Sequence, residues 1–258
     1  MTEIQPNRME RTELWGGLKD AHDIRAKARI FGQMIPDDVH SIVDVGCGDG
    51  AITNTLGERW AVTGVDSSST ALAHVSVDSL LADARNLPFA DASFDLALSS
   101  QMVEHLDDSS YPAAMAELRR VARRYLLISV PYREDLGMRM VRCPRCRHHQ
   151  HVWGHVRRFT PESLARDIPE FEPIDVRIFG DVQDPPWPRP LLWMVHRGFG
   201  GWYGSAGQNP QCERCGNTDF SGLRGFPLTA WRLKETADRI GRRPRLPYWL
   251  AVLARRGR

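Results

Sequence analysis

Apolar residues along the chain come in short runs that end at glycine, proline or acid, separated by stretches of helical spacing. Residues 1–38 are polar and helix-compatible, ending at "IPDD". "SIVDVGCGDG" (41–50) is a β-branched run that passes into glycines. "AITNTLGERW" reads as a helix, "AVTGVD" (61–66) as a second strand, "STALAHVS" as a helix, "DSLLADA" as a third strand and "SFDLALSS" (93–100) as a fourth. In "YPAAMAELRRVARR" the residues Met115, Leu118 and Val121 share one helical face. "YLLISVP" (125–131) is a fifth strand stopped by proline. Helical spacing returns at "TPESLARDI" (160–168), with Thr160 as N-cap, Pro161 at the first helical position and Glu162 in the first turn. "EPIDVRIFG" reads as a sixth strand and "LTAWRLKE" (228–235) as a seventh. Strands alternating with helices predict βαβ units, hence an α/β fold with a doubly wound, mostly parallel seven-stranded sheet. Two stretches break the pattern: 132–158, and 181–228, which is rich in Pro, Gly and Trp.

The glycine run carries the first candidate chemistry. Gly46, Gly48 and Gly50 let the backbone turn tightly against a ligand, and the helix that follows offers free N–H groups. No Lys-Ser/Thr follows, so this is not a nucleotide-phosphate loop. Asp44 precedes the turn and suits a ligand bearing a positive amine. Asp66 ends the second strand, where a carboxylate accepts the hydroxyls of a ribose. Asp83 and Ala84 follow the third strand, placed for an adenine amino group. A nicotinamide cofactor would use Asp66 equally well, but the turn is GxGxG after an acid rather than GxGxxG.

Composition narrows the class. The chain has 258 residues, 42% hydrophobic and 26% charged, with a net charge of +2. This is an ordinary globular balance, with no global field to draw the protein onto nucleic acid. The first residues lack a basic segment followed by an apolar run, and no apolar stretch approaches a membrane span. The expected location is cytoplasmic, with reduced thiols.

"VDVGCGDG", "GVDSS", "ADARNLPFADASFDLALSSQMVEHL" and "HVRRFTPESL" together resemble the class I S-adenosylmethionine-dependent methyltransferases, specifically the bacterial small-molecule type. The resemblance covers 38–131 closely and 152–180 more loosely. It implies Asp44, Gly46 and Gly48 around the amino-acid portion of S-adenosylmethionine, Asp66 with Ser67 at the ribose, and Asp83 and Ala84 at the adenine. Ser100, Gln101 and Met102 are similar to the segment that lines the sulfonium and the substrate mouth. A methyl sulfonium carries its own driving force, so the protein chiefly positions the acceptor. A base is needed where the acceptor is a hydroxyl. In "QMVEHL", His105 is a candidate base, and so is His155 in "WGHVRRF"; structural packing of Glu104 and His105 is the competing reading. The segment is also similar to the ExxEH metal site of some O-methyltransferases, with His155 as the later histidine. Gln101 replaces the first acid of that pattern, which weakens it.

The two irregular stretches each hold a CxxC pair. Cys143 and Cys146, with Cys212 and Cys215, offer the four thiolates that a structural Zn²⁺ takes in tetrahedral geometry. A redox pair and substitution of one ligand by His148, His149 or His151 are the alternatives. Closed coordination leaves no room for water or substrate, so such a zinc is structural. Cys47 lies in the glycine turn and is not expected to be a ligand. Trp153, His155, Arg157 and Arg158 are candidates for acceptor contact, or else form a solvated basic loop.

The expected organisation is a cofactor-binding core over 1–137, a first zinc-knuckle insertion over 138–158, and the core continued over 159–182. A second knuckle insertion follows over 183–226, then a last strand and basic tail over 227–258. That tail holds nine Lys/Arg against two acids in 231–258, around the apolar centre of "LPYWLAVLARR". Docking on the sheet is the expectation, with peripheral contact to an anionic membrane as the alternative. The function expected is methylation of a small-molecule acceptor, preferably a sugar or natural-product hydroxyl. RNA methylation is an alternative, although no RNA-reading module is evident, so nucleic acid is not the expected partner. A cofactor-binding protein without catalysis is another. Acceptor and oligomeric state are not legible.

Overall fold

The computed structural model describes residues 22–183, 211–220 and 246–257. The chain divides into two compact units. The larger comprises residues 9–133, 158–181 and 247–258, and the smaller comprises 1–8, 134–157 and 182–246.

The larger unit is built on strands β1 (Ser41–Val45), β2 (Ala61–Asp66), β3 (Asp78–Leu81), β4 (Phe94–Ser100), β5 (Ala122–Pro131), β8 (Phe171–Gln183) and β9 (Leu246–Arg256). Between β5 and β8 lie the short strands β6 (Met140–Arg142) and β7 (His149–His151) of the smaller unit. The sheet has seven strands in the order β3-β2-β1-β4-β5-β9-β8. β1 pairs in parallel with both β2 and β4, and β9 runs antiparallel to β5 from Tyr125↔Arg255 to Pro131↔Trp249. The chain therefore builds outward from β1 in one direction and resumes on its other side with β4. Such a switch point opens a crevice at the strands' carboxyl ends.

Both faces of the sheet are covered, and the period of two sorts each strand between them. Val43, Val45, Ala97, Leu126 and Ile128 join a cluster with Met115, Leu118 and Val121 of α4 (Ser110–Val121) and Leu164 of α5 (Pro161–Asp167). Ile42, Leu96, Leu98 and Leu127 face the opposite way, against Ala28, Phe31 and Met34 of α1 (His22–Met34). The doubly wound, mostly parallel seven-stranded sheet expected from the pattern is the fold observed. The N-cap expected at Thr160 is also present, completed by a reciprocal bond with Ser163.

The seventh strand is not where the pattern suggested. It is β9, inside the basic tail, whereas 228–235 lies outside the described residues. Leu250, Ala251, Val252, Leu253 and Ala254 are buried within the sheet, so the tail's apolar centre is core and not a membrane-facing surface. Two helices are also shorter than their patterns: α2 covers Thr53–Leu56 and α3 covers Ser69–Leu72. α2 stops at Gly57, where a Cβ would come within 2.4 Å of Val77 Cγ1. Among the described residues, no helix is long and apolar enough to cross a membrane.

One polar knot ties the amino ends of the strands. Asp95 on β4 accepts hydrogen bonds from the backbone N–H groups of His40 and Ser41 and pairs with Arg123 and Arg124. Burial would raise its carboxyl, but those N–H groups and the two guanidiniums hold it down to about 2. In the smaller unit, β6 and β7 form an antiparallel ribbon, with Met140↔His151 and Arg142↔His149 paired.

Candidate active site and metal centre

The turn after β1 is held by bonds that bring its backbone across to β2. Gly46 and Cys47 both donate to the Val65 carbonyl, at 2.7 and 3.0 Å, and Gly50 donates to the Cys47 carbonyl. Gly46 sits at φ 79°, and a Cβ there would lie 2.4 Å from Met102 Cγ. Only glycine meets both the left-handed backbone and the approach of Met102.

Asp44 lies one residue before the end of β1, on the face shared with Ile42, and is 2% exposed. Its Oδ2 accepts the Thr53 hydroxyl at 2.7 Å, while Oδ1 is buried with no hydrogen-bonding partner. Burial pushes this carboxyl up to about 7; the Thr53 bond opposes the rise and the Asp66 charge adds to it. A buried acceptor atom of this kind is satisfied by a cationic donor. Asp66 ends β2 and spans the turn: Oδ2 accepts from Gly48 N and Oδ1 from Ser68 N, each at 2.9 Å. A carboxylate oxygen can accept more than one donor, so this is a group type that hydroxyls can approach. Ser67 is exposed, and Ser68 caps α3 through its side chain.

Further along the sheet edge, Asp83 pairs with Arg85, whose Nη2 lies 2.5 Å from Oδ2, and Ala84 packs on the core. Gln101 follows β4 at φ 60°; its backbone N–H and its side-chain amide both donate to the Ser129 carbonyl. Ser100 Oγ is buried with no hydrogen-bonding partner. His105 ends a single helical turn over Val103–His105, in which Glu104 is fully buried. Burial pushes the Cys47 thiol up, so it is a protonated packing group on Gly64 rather than a thiolate ligand.

In the smaller unit the four cysteines come together. Cys143 Sγ lies 3.6 Å from Cys215 Sγ, and Cys146 Sγ lies 3.4 Å from Cys212 Sγ. All four sulfurs fall within 4.8 Å of one another. A tetrahedral ZnS₄ centre with bonds of about 2.3 Å has sulfur–sulfur edges of about 3.8 Å, so the donor set fits zinc. The two knuckles are built alike. Cys143 N donates to His148 O and Arg147 N to Cys143 O, just as Cys212 N donates to Asn217 O and Gly216 N to Cys212 O. The fifth residue of each is left-handed, Arg147 at φ 65° and Gly216 at φ 66°. Gln150 joins them, donating to Gln211 O and accepting from Glu213 N.

The same unit holds a second cluster, of buried Glu134, His151 and His155. His155 Nδ1 is 2.5 Å from Glu134 Oε2, and His151 Nε2 is 3.6 Å from Glu134 Oε1. The two imidazoles stack at 4.7 Å with 19° between their planes, and Trp153 packs against both.

Residues 43–126 match the family model described as "Methyltransferase domain". This stretch is a methyltransferase domain. It contains the glycine turn, Asp44, Asp66, Asp83 and His105. The chain is 36% identical over 102 residues to the malonyl-[acyl-carrier protein] O-methyltransferase of Erwinia pyrifoliae, covering 37% of this chain and 38% of that protein. It is 27% identical over 146 residues to an uncharacterized 37.1 kDa protein in a Streptomyces fradiae transposon, covering 41% and 42%. The chain thus spans about two fifths of the length of these curated relatives. Among solved structures, a SAM-dependent methyltransferase from Archaeoglobus fulgidus superposes with a TM-score of 0.54 at 17% identity, over 95% of each chain. The Burkholderia thailandensis 1,6-didemethyltoxoflavin-N1-methyltransferase, solved with S-adenosylhomocysteine, gives 0.52 at 16% identity, over 93% of this chain and 81% of its own. These structural likenesses establish the methyltransferase fold.

Within the methyltransferase domain the structure draws Asp44, Gly46, Gly48 and Asp66 to one turn, and sets Asp83, Ala84, Ser100 and Gln101 at neighbouring strand ends. In the smaller unit it gathers Cys143, Cys146, Cys212 and Cys215. Sequence reasoning missed Glu134, which sits in "PYRED" and looks like an ordinary exposed turn. It also missed the packing of Met102 on the glycine turn. The His151–His155 spacing of four was visible, but without Glu134 it had no partner to give it meaning.

Proposed function

We propose that the chain is an S-adenosylmethionine-dependent methyltransferase acting at oxygen on a small molecule, with a sugar or natural-product hydroxyl as the acceptor class. The observation that carries this is the turn itself, with a buried unsatisfied Asp44 oxygen on one side and Asp66 on the other. When bound, S-adenosylmethionine supplies a methyl group activated by a sulfonium. Asp44 with the Gly46–Gly48 backbone would hold its amino-acid end, Asp66 with Ser67 its ribose, and Asp83 with Ala84 its adenine. Ser100 and Gln101 would border the reacting end. His105 and His155 are the candidate groups to take the hydroxyl proton. The O-methyl activity in the name of the Erwinia relative supports oxygen as the accepting atom.

The four cysteines hold one structural Zn²⁺ in this reading, supported by their sulfur spacing and by the matched knuckles.

Titration calorimetry with S-adenosylhomocysteine tests the cofactor site. Asp66→Ala is expected to weaken binding by at least roughly tenfold, since a charge-assisted hydrogen bond contributes about 1.5–3 kcal/mol. No heat with either S-adenosylmethionine or its demethylated product would overturn the reading. Methyl transfer from labelled S-adenosylmethionine into a small-molecule extract, and not into RNA, is expected. Transfer into RNA instead would replace the acceptor class, and tight binding with no transfer would leave a cofactor-binding protein.

A further inference from the structure

Strand β8 (Phe171–Gln183) ends the sheet order, so among the described residues no strand pairs with its outer edge. Such an edge carries a row of backbone donors and acceptors that another strand can take up. Its side chains alternate between two faces. On one face Phe179 packs on the apolar cluster that α1 covers, and Arg177 Nη1 reaches Gln33 Oε1 of α1 at 3.1 Å. On the other face Ile174, Val176 and Ile178 stand 47%, 43% and 40% exposed. They are three of the six large hydrophobic side chains exposed among the described residues, so the exposure is gathered on one strand and not scattered.

The order of residues in this stretch says what fits it. Ile174-Asp175-Val176-Arg177-Ile178 reads apolar, acidic, apolar, basic, apolar. Laid antiparallel against itself about Val176, it sets Ile174 opposite Ile178 of the second copy and Asp175 opposite Arg177 of the second copy. Within one chain Arg177 already holds Asp175 Oδ2 at 3.0 Å, so acid and base lie on one face and each meets its opposite across the two-fold axis. Directly opposed residues stabilise an antiparallel ladder, and like charges in those places destabilise it. Centring the pair one residue away, on Asp175 or on Arg177, opposes acid to acid or base to base. The register about Val176 is therefore the one the charges select. Pro173 has no N–H to give, which by symmetry confines the ladder to 174–178. The sheet's other edge, β3, offers four residues with an acid and no base, so it has no such match to itself.

We propose that β8 is the docking edge for a second copy of this chain, joined antiparallel about Val176 so that the two sheets continue into one. Six aliphatic side chains then line one face, and two Asp175–Arg177 pairs between copies line the other. Five residues on each side make a short contact, below the roughly 1,000 Å² of a lasting interface. The dimer is accordingly weak and forms as concentration rises. The contact involves none of the residues placed around the cofactor.

Sedimentation equilibrium of the full chain, from micromolar to millimolar, is expected to show a monomer–dimer equilibrium. Asp175→Arg and Arg177→Asp each set like charges across the axis twice, and each alone should raise the dissociation constant by at least about tenfold. Mixed in equal amounts, the two variants should dimerise with each other at least as well as the wild type, since every acid then faces a base. Both variants lack the Asp175–Arg177 pair within the chain, so recovery in the mixture reads the contact between copies and not the fold of either. Amide exchange over 174–178 in the wild type should slow as concentration rises, while that of β3 does not change. This measurement needs no variant and decides the matter should either one fail to fold. A wild type that stays monomeric to millimolar overturns the proposal. So does protection of 174–178 that is independent of concentration, which would mean that another occupant covers the edge. Dimerisation untouched by either charge reversal, or a mixture of folded variants no better than each alone, puts the contact elsewhere and overturns it too.

Discussion

The two compact units are held together by different forces. In the larger one, two apolar clusters cover the two faces of a seven-stranded sheet, and no strand in the middle exposes its backbone edge. In the described part of the smaller one, Val141 and Val152 are the buried aliphatic side chains, beside buried Cys143 and Cys212. Its remaining order comes from thiols, knuckle hydrogen bonds, Gln150 and the Glu134 cluster. A sheet with a full core folds on hydrophobic burial. A short segment without one needs a different source of free energy, which the proposed zinc on the four cysteines would supply.

The sharpest way to break this contrast is to remove the four-cysteine centre proposed to hold zinc. We expect about one zinc per chain by metal analysis, lost in Cys143→Ser or Cys212→Ser. A structural zinc site contributes on the order of 10 kcal/mol to the fold that depends on it. Hydrogen exchange should then show protection vanishing across β6 and β7 while β1, β4 and β5 keep theirs. Uniform loss of protection in both units would show that the sheet depends on the metal too, and the contrast would fail.

A smaller effect tests the larger unit's own exception, a carboxylate inside an apolar layer. Asp44 titrates at about 7 in the fold against an ordinary value of 3.8, chiefly because it is buried. Its folded pKa is raised, so the folded form favours the neutral acid. The stability associated with that proton is complete below about pH 4 and is lost as pH rises toward and through 7. A rise of about three units corresponds to on the order of 4 kcal/mol. Asp44→Asn carries no proton to lose. Urea unfolding between pH 5 and 8 should therefore give a sloping stability for the wild type and a flatter one for the variant. Under the proposed function, the same variant should bind S-adenosylhomocysteine more weakly. Parallel slopes would mean that Asp44 stays ionised in the fold and is balanced by other groups.

The same contrast explains what was legible in the sequence. Parallel strands buried on both faces are continuous β-branched or aliphatic runs, so β1, β2, β4 and β5 announce themselves. The acids Asp44 and Asp66 were placed by chain order relative to those strands. β9 was hidden because its apolar core, Leu250–Ala254, lies between arginines that read as a solvated tail; Arg256 instead donates to the Arg119 and Ala122 carbonyls. β3 ended early, at Leu81, because Asp83 and Arg85 close on one another across a tight turn. In the smaller unit the CxxC spacing is local and readable, but the Glu134–His155 contact joins residues 21 apart with no periodic signal between them. Side-chain clusters assembled by loops leave no pattern of hydrophobic positions to follow.

The smallest effect compares the two knuckles with each other. They share their hydrogen bonds, yet the left-handed position holds Gly216 in one and Arg147 in the other. A side chain in that conformation costs about 1 kcal/mol relative to glycine. Arg147→Gly should remove the strain without touching a sulfur. The expected result is zinc held roughly fivefold more tightly in competition with a chelator, with Gly216→Ala moving the other way. With the proposed zinc bound, folding of the knuckles and binding of the metal would be one equilibrium, so the competition would read the knuckle directly. If Arg147→Gly instead loosens zinc, the arginine side chain contributes more through its contacts than its backbone conformation takes away. The two knuckles would then be alike in backbone but not in energy.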